Sequence, residues 1–223
     1  MKEEGTPSSE KLLKGTRLVI IDWSGVISDD RNPVFETARR MIETFTGQNL
    51  TFEEWLAYTD SCSNAPDFFI NFGVQMERGA LQNLYSQEFS LVRGGGIKPV
   101  IYPDVTFFLQ ELKKKNLSPI VVSSHPEESL LIEADSFGIT TFISGIIGGI
   151  LDKGEVIEDT YSRLKIPNSE TIYIGDSIHD IRAAKKAQVK SVGITTGYHS
   201  KNSLLKESPD MMVDSLTEVV PHL

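Results

Sequence analysis

The sequence predicts an α/β fold, a doubly wound parallel sheet of Rossmann-like type with an inserted all-helical domain. Short apolar runs without polar alternation, such as residues 18–21, are typical of strands buried on both faces. Strands alternate with helical patterns over 98–223, which favours right-handed crossovers and a three-layer core. Residues 33–97 carry only helical periodicity and end in three consecutive glycines. We therefore predict a core interrupted early by a helical insertion.

These patterns place the domains and the elements of the core. The core domain is predicted to comprise 1–32 and 98–223, with 1–15 as a polar, flexible tail, and the helical domain to comprise 33–97. Apolar β-branched runs predict the strands, and apolar residues spaced by three and four predict the helices. The predicted core elements are, in order, a strand over 17–22, a helix over 105–114, a strand over 119–123, a helix over 127–137, a strand over 140–144, a helix over 154–165, a strand over 171–175, a helix over 177–188 and strands over 190–194 and 210–213.

Helical signals run through the insertion. Apolar residues recur at spacings of three and four from Val34 to Phe45, and Gly47 follows them. Thr51 and Glu54 have the spacing of a capping box for a second helix. The segments 68–70 and 76–89 predict further helices.

Composition excludes several classes of function. The 223 residues include 22 basic and 31 acidic side chains, a formal net charge of −9, which argues against nucleic acid or an anionic membrane surface as a partner. Cys62 is the single cysteine, so neither a disulfide framework nor a zinc cluster is expected, and a reducing, cytoplasmic location fits best. The apolar stretches are too short to span a bilayer. Nothing in the sequence indicates the oligomeric state.

Polar side chains follow three of the predicted strands. Asp22 ends the first strand, Ser123 and Ser124 end the second, and Asp176 follows the strand over 171–175. Asp180 comes one helical turn later. Ligands of open parallel sheets bind beyond the carboxyl ends of the strands, so these groups are expected at one edge. A lone aspartate there often only caps a helix, but two on separate strands favour a functional site.

Four motifs resemble the haloacid dehalogenase (HAD) superfamily over about 17–200. Residues 20–26, IIDWSGV, are similar to the first motif, DxDGT/V, and residues 121–124, VVSS, to the second. Lys153 opens the helix before the last motif, and residues 175–184, GDSIHDIRAA, are similar to GDSxxDxxAA. The helical insertion resembles the superfamily's helical cap, in a layout similar to the phosphoglycolate phosphatases.

The resemblance implies a nucleophile and a metal site. Asp22 would attack phosphorus and form an aspartyl-phosphate. Mg²⁺ would be held by Asp22, by the main-chain carbonyl of Ser24 and by Asp176. The expected substrate is a small phosphorylated metabolite.

The resemblance also implies groups that hold the phosphoryl oxygens. Ser123 and Ser124 would bind them, and Lys153 would neutralise charge on the phosphoryl group and the nucleophile. Asp180 would orient Lys153 or lie in the second shell of the metal.

Position 24 departs from the superfamily, because phosphatases usually carry there a second aspartate that transfers protons. A serine hydroxyl does this poorly near neutral pH, and losing a general acid/base typically costs about 10²–10⁴ in rate. The sequence therefore predicts a hydrolase with weak or leaving-group-limited turnover. The alternative is an impaired protein that binds a phosphorylated ligand or partner without turnover. Phosphoryl transfer to another acceptor is a third, weaker alternative.

Other polar residues carry less specific signals. His125 and His179 flank motif residues, and we interpret them as surface or supporting groups rather than catalysts. The strong cations of the insertion are interpreted as surface charges, although any of them could bind a second anionic group of the substrate. These are Arg39, Arg40, Arg78 and Arg93.

Overall fold

A computed structural model describes residues 12–60 and 65–223. Cys62 and most of the predicted tail lie outside the described residues. The tail prediction differs from the structure at Leu13, whose buried side chain packs in the main core.

The fold is built on a six-stranded sheet whose paired strands all run parallel, which confirms the predicted fold class. Its strands are Leu18–Ile21 (β1), Ile120–Val122 (β4), Gly145–Ile147 (β5), Thr171–Gly175 (β6), Lys190–Ile194 (β7) and Met211–Val213 (β8). The order across the sheet is β5-β4-β1-β6-β7-β8, so β1 lies between β4 and β6. Ile21 pairs with Val121 on one side and with Ile174 on the other, which brings the ends of the three strands together.

Helices cover both faces of the sheet. The helices after the insertion are Val105–Lys114 (α5), Glu127–Ser136 (α6), Lys153–Leu164 (α7), Ile178–Lys186 (α8) and Lys201–Lys206 (α9). Alternate residues of β1 face opposite layers, as the pleat requires. Val19 and Ile21 belong to the apolar cluster that includes residues of α5 and α6. Leu18 and Ile20 belong to the cluster that includes residues of α7 and α8.

In the described part of the insertion the structure has four helices, as the periodicity predicts. They are Arg31–Thr46 (α1), Phe52–Thr59 (α2), Ala65–Asn71 (α3) and Arg78–Gly94 (α4). Their apolar faces share a third cluster, in which Trp55 and Met41 are fully buried. The capping box of Thr51 and Glu54 is confirmed at the start of α2.

Two features of the core differ from the predictions. The strand predicted over 140–144 is wrong: Thr140–Phe142 is a 3-10 turn, and the strand that pairs with β4 is β5. Phe142 and Ile143 pack on the core from this turn, so their apolar character does not mark a strand. Ser28–Asp29 (β2) and Val100–Ile101 (β3) form an unpredicted antiparallel pair. Strands of two residues are too short to give a periodic signal.

Within the described ranges, no helix is both long and apolar enough to cross a membrane.

Candidate active site

Three buried carboxylates meet beyond the carboxyl ends of β1 and β6. Asp22 follows β1, Asp176 follows β6, and Asp180 lies in the first turn of α8. One oxygen of each lies within 4.8 Å of the others. The parallel register of β1 and β6 explains this meeting, because it brings their ends side by side.

Lys153 is the cation of this cluster. It opens α7, its side chain is 13% exposed, and its Nζ lies 2.7 Å from an oxygen of Asp22 and 2.7 Å from an oxygen of Asp180. Burial alone would lower the pKa of Lys153, but the two carboxylates outweigh it and raise that pKa above its ordinary value. Lys153 therefore stays charged and holds the nucleophile candidate against the first turn of α8.

The carboxylates carry more negative charge than Lys153 balances. Burial, opposed by Lys153, raises the pKa of Asp22 to about 6. Burial and the neighbouring Asp180 and Asp22 raise the pKa of Asp176 well above its usual range. Burial also acts on Asp180, but Lys153 and the hydrogen bonds from Ser177 and Tyr173 outweigh it and lower that pKa.

Asp180 is locked in place by its own helix. Its Oδ2 accepts from the backbone N–H of Ser177 at 3.1 Å while its own backbone N–H donates to Ser177 Oγ at 3.2 Å, which forms a capping box. The hydroxyl of Ser177 also donates to Oδ2 at 2.6 Å. Its Oδ1 accepts from the hydroxyl of Tyr173 at 3.0 Å in addition to Lys153. Helix capping and the orientation of Lys153 are thus two functions of one carboxylate.

Asp176 is enclosed by backbone. The N–H of Tyr198 donates to Asp176 Oδ2 at 2.7 Å. Gly25 has φ of +72°, and a Cβ at Gly25 or at Gly197 would overlap the Asp176 carboxyl group. Glycine at both positions therefore lets the loops after β1 and β7 approach this carboxylate closely.

The loops at the end of β4 place the two predicted phosphate-binding serines differently. Ser123 is buried, and its Oγ accepts a hydrogen bond from the N–H of His125 at 3.3 Å. Ser124 is exposed and lines the cleft described below. Of the pair, Ser124 has the accessible hydroxyl.

Ser24 makes contacts that the sequence analysis missed. Its hydroxyl donates to Oδ2 of the buried Asp30 at 2.6 Å and lies 3.2 Å from Nε2 of His125. The hydroxyl of Tyr198 donates to Asp30 Oδ1 at 2.7 Å. Burial and Asp30 raise the pKa of the Tyr198 hydroxyl well above its ordinary value, so Tyr198 remains the donor. No motif marked Asp30 or Tyr198, since their roles depend on a contact across 168 positions.

A cleft of about 1210 Å³ joins these carboxylates to the helical insertion. From the insertion it is lined mainly by apolar and aromatic side chains, among them Trp55, Phe69 and Phe89. Arg93 also lines it, 3.8 Å from Glu133. The other three arginines considered above pair with acidic side chains of the insertion and lie outside the lining. These pairs are Arg39 with Glu36 and Glu43, Arg40 with Glu36, and Arg78 with Asp67.

Curated relatives of the chain are phosphatases by name. A phosphoglycolate phosphatase of Pseudomonas fluorescens is 32% identical over 127 residues, which are 55% of this chain and 47% of that protein. A phosphoglycolate phosphatase of Salmonella typhimurium is 30% identical over 148 residues, which are 64% of this chain and 58% of that protein. The chain thus spans about half the length of the curated relatives it matches.

Solved structures share the fold over nearly the whole chain. A predicted phosphoglycolate phosphatase from Haemophilus somnus superposes with a TM-score of 0.78 at 17% identity, covering 93% of this chain and 98% of that chain. A haloacid dehalogenase-like family hydrolase from Streptococcus pneumoniae gives 0.75 at 16% identity, covering 92% and 97%. At such identities these likenesses support the fold alone. The family model of the haloacid dehalogenase-like hydrolases matches residues 19–194, and the chain belongs to that family.

Proposed function

We propose that this protein is a Mg²⁺-dependent phosphatase that hydrolyses a small phosphorylated metabolite through an aspartyl-phosphate on Asp22. The observation that carries the proposal is the buried ion-pair bridge from Asp22 through Lys153 to Asp180, with Asp176 within 4.8 Å. A structural ion pair needs one carboxylate. Three converging carboxylates at an accessible cleft favour catalysis instead.

The donor set fits a divalent cation. When all three carboxylates are ionised, Lys153 leaves about two net negative charges in a buried site. Burial first, and the repulsion of the nearby Asp180 after it, raise the pKa values of Asp22 and Asp176. Carboxylate and carbonyl oxygens are the ligands that Mg²⁺ prefers, so Asp22, Asp176 and the main-chain carbonyl of Ser24 would hold it. Bound Mg²⁺ would polarise the phosphoryl oxygens as a Lewis acid.

Each side chain of the site then has a separate role in the reaction. Asp22 supplies an ionised oxygen that bonds to phosphorus while the ester oxygen leaves. Lys153 fixes that carboxylate and offsets charge on the phosphoryl group. Ser124 offers a hydroxyl to the phosphoryl oxygens from the end of β4, and Ser123 supports the loop that carries it. Water then cleaves the aspartyl-phosphate.

Turnover is expected to be weak unless another group transfers protons, because Ser24 stands where the family usually has an acid/base aspartate. A missing proton donor matters most for esters with poor leaving groups. We therefore expect phosphates with good leaving groups to be hydrolysed faster.

We propose that the helical insertion, 33–97, is a cap that covers the cleft and sets specificity, while 1–32 and 98–223 form the core. The cleft lies between the carboxylates and side chains of the insertion, which supports this division. The names of the relatives in turn support a small phosphorylated substrate. The cytoplasmic location stays a prediction.

Hydrolysis of p-nitrophenyl phosphate with and without Mg²⁺ tests the proposal, with Asp22→Asn as the matched variant. We expect Mg²⁺-dependent turnover that Asp22→Asn abolishes. Turnover that persists in Asp22→Asn, or that does not depend on a divalent cation, contradicts the proposal.

Ser24 favours a second candidate, a protein that binds a phosphorylated ligand without turnover. In that case the wild type binds Mg²⁺ together with a phosphate analogue such as vanadate, but hydrolyses no phosphate ester in a metabolite panel. Slow transfer of the phosphoryl group to an added alcohol would indicate the third alternative.

A further inference from the structure

His125 and Asp30 occupy the space beyond the short side chain of Ser24. An aspartate at position 24 would extend farther than the serine, whose hydroxyl ends at the γ position. Asp30 Oδ2 lies 2.6 Å from that hydroxyl, and His125 Nε2 lies 3.2 Å from it. His125 Nε2 is also 3.9 Å from Asp30 Oδ2. An imidazole and a carboxylate thus stand where the family's proton-transfer group is missing.

The His125 ring is held from its backbone and remains open to the cleft. The backbone N–H of His125 donates to Ser123 Oγ at 3.3 Å, and the backbone carbonyl of His125 accepts from the N–H of Gly149 at 2.7 Å. These bonds fix the residue between the ends of β4 and β5. The side chain is 33% exposed and lines the cleft together with Asp22. A ligand in the cleft can therefore reach the ring.

The carboxylate of Asp30 binds Ser24 and Tyr198 instead of capping helix α1. It stands at the N-cap position of α1, yet its side chain makes no capping hydrogen bond to that helix. Its two oxygens accept instead from Ser24 and from the hydroxyl of Tyr198. Because the N–H of Tyr198 holds Asp176, Asp30 is fixed relative to the acidic cluster.

We propose that His125 carries out the proton transfers that the aspartate missing at position 24 would perform, with Ser24 and Asp30 as positioning residues. The Ser24 hydroxyl donates a hydrogen bond to Asp30 and keeps its proton, so its oxygen can accept from Nε2 and orient the ring. The inference rests on the proposed function, since it concerns the same site and the same two-step hydrolysis.

The chemistry balances over the two steps. In the first, Asp22 oxygen bonds to phosphorus, the bond to the ester oxygen breaks, and Nε2–H of the protonated ring passes its proton to that oxygen. In the second, the neutral Nε2 takes a proton from water while the water oxygen bonds to phosphorus and the bond to Asp22 breaks. Inorganic phosphate leaves, and the protonated ring is restored.

The leaving group provides the test, because p-nitrophenolate departs without a proton and an alkoxide does not. His125→Gln keeps a polar side chain that cannot transfer a proton at neutral pH. We expect phosphoenzyme formation from an alkyl phosphate to fall by about 10²–10⁴-fold in His125→Gln, and formation from p-nitrophenyl phosphate to change much less. His222→Gln, in the C-terminal turn and outside the cleft lining, is the matched control and should match the wild type.

The second step gives an independent readout. With p-nitrophenyl phosphate, His125→Gln should accumulate aspartyl-phosphate, seen as a burst of nitrophenolate and as a mass increase of one phosphoryl group. An equal loss on both substrates without accumulation would assign His125 a structural role and overturn the inference. Unchanged kinetics would also overturn it. His125→Asn, scored in the same way, replaces His125→Gln if that variant does not fold.

Failure of the proposed function gives results that differ from those expected if only the role of His125 is wrong. If the wild type forms no phosphoenzyme, or if Asp22→Asn still turns over, both the proposed function and the role of His125 are contradicted. If wild-type turnover depends on Asp22 but the loss of rate in His125→Gln is the same for both leaving groups, only the role of His125 is contradicted.

Discussion

Lys153 holds Asp22 and Asp180 through two ion pairs of 2.7 Å in a buried site. Removing one member of a buried ion pair leaves charge unpaired in a poorly solvated place, which costs about 3–5 kcal/mol. We expect Lys153→Met to lower the free energy of unfolding by about that amount at pH 7. Urea denaturation in EDTA measures it, and an unchanged midpoint would mean that the bridge does not hold the site together.

The carboxylates give the metal-free protein a distinctive dependence on pH. The pKa of Asp22 is about 6 because of burial, and that of Asp176 is raised well above its usual range by burial and by neighbouring acids. The folded state therefore binds more protons than the unfolded state between about pH 4 and 6. Its stability should fall as pH rises through this window, by up to about 1.4 kcal/mol per pH unit for each proton. The pKa of Asp180 is lowered, so this group makes the stability rise with pH instead. It does so only at pH values below this window.

Urea denaturation in EDTA between pH 5 and 6 checks this dependence. The slope should be shallower in Asp22→Asn, where one of the titrating groups is gone. A free energy of unfolding that rises from pH 5 to pH 6 in the wild type would refute the account of the cluster.

Strand ends could be found in the sequence, whereas contacts between loops could not. Asp22 and Asp176 each follow an apolar run, and the fold class brings such residues to one edge. Asp30 and Tyr198 gave no signal, because a buried acid and a loop tyrosine have no periodic pattern. Their contact depends on the loops after β1 and β7 meeting in space.

At the scale of elements, the loops after β1 and β7 fit around Asp176 only without side chains. Gly197 has no positive φ, so an alanine there would suffer only from the overlap of its Cβ with the Asp176 carboxyl group. We expect Gly197→Ala to weaken Mg²⁺ binding by about 10- to 100-fold, the usual effect of disturbing groups around metal ligands.

Titration calorimetry with Mg²⁺ measures this effect. Gly94→Ala, at the end of α4, is the matched control, because a Cβ there meets nothing within 4 Å and φ is not positive. Equal affinities in both variants would show that the loops need not approach Asp176 so closely.

Element prediction failed where local pattern and tertiary pairing disagree. Thr140–Phe142 has strand-like residues but forms a turn, and the strand begins at Gly145, a residue with weak strand propensity. Pairing with β4 decides the outcome there, and such pairing is not visible in a single segment. The longer helices of the insertion were predictable because an apolar face repeats over several turns.

The whole molecule combines a parallel sheet, which concentrates polar groups at one edge, with a helical insertion on the same side of that edge. Asp60 of the insertion accepts hydrogen bonds from the N–H of Ser200 at 2.9 Å and from the hydroxyl of Ser203 at 2.9 Å, which ties the insertion to the start of α9. These hydrogen bonds hold the insertion against the core beside the cleft. Its size and aromatic lining could not be derived from sequence, because they depend on how the insertion packs over the core.

The central claim is that Asp22 is a nucleophile beside a divalent cation. A crystal structure with Mg²⁺ and beryllium fluoride tests it most directly, since the fluoride complex mimics a phosphoryl group on a carboxylate. We predict beryllium bonded to an Asp22 oxygen and Mg²⁺ bound by Asp22 and Asp176. A structure soaked under the same conditions with no adduct on Asp22, or with Mg²⁺ away from these two carboxylates, would contradict the account.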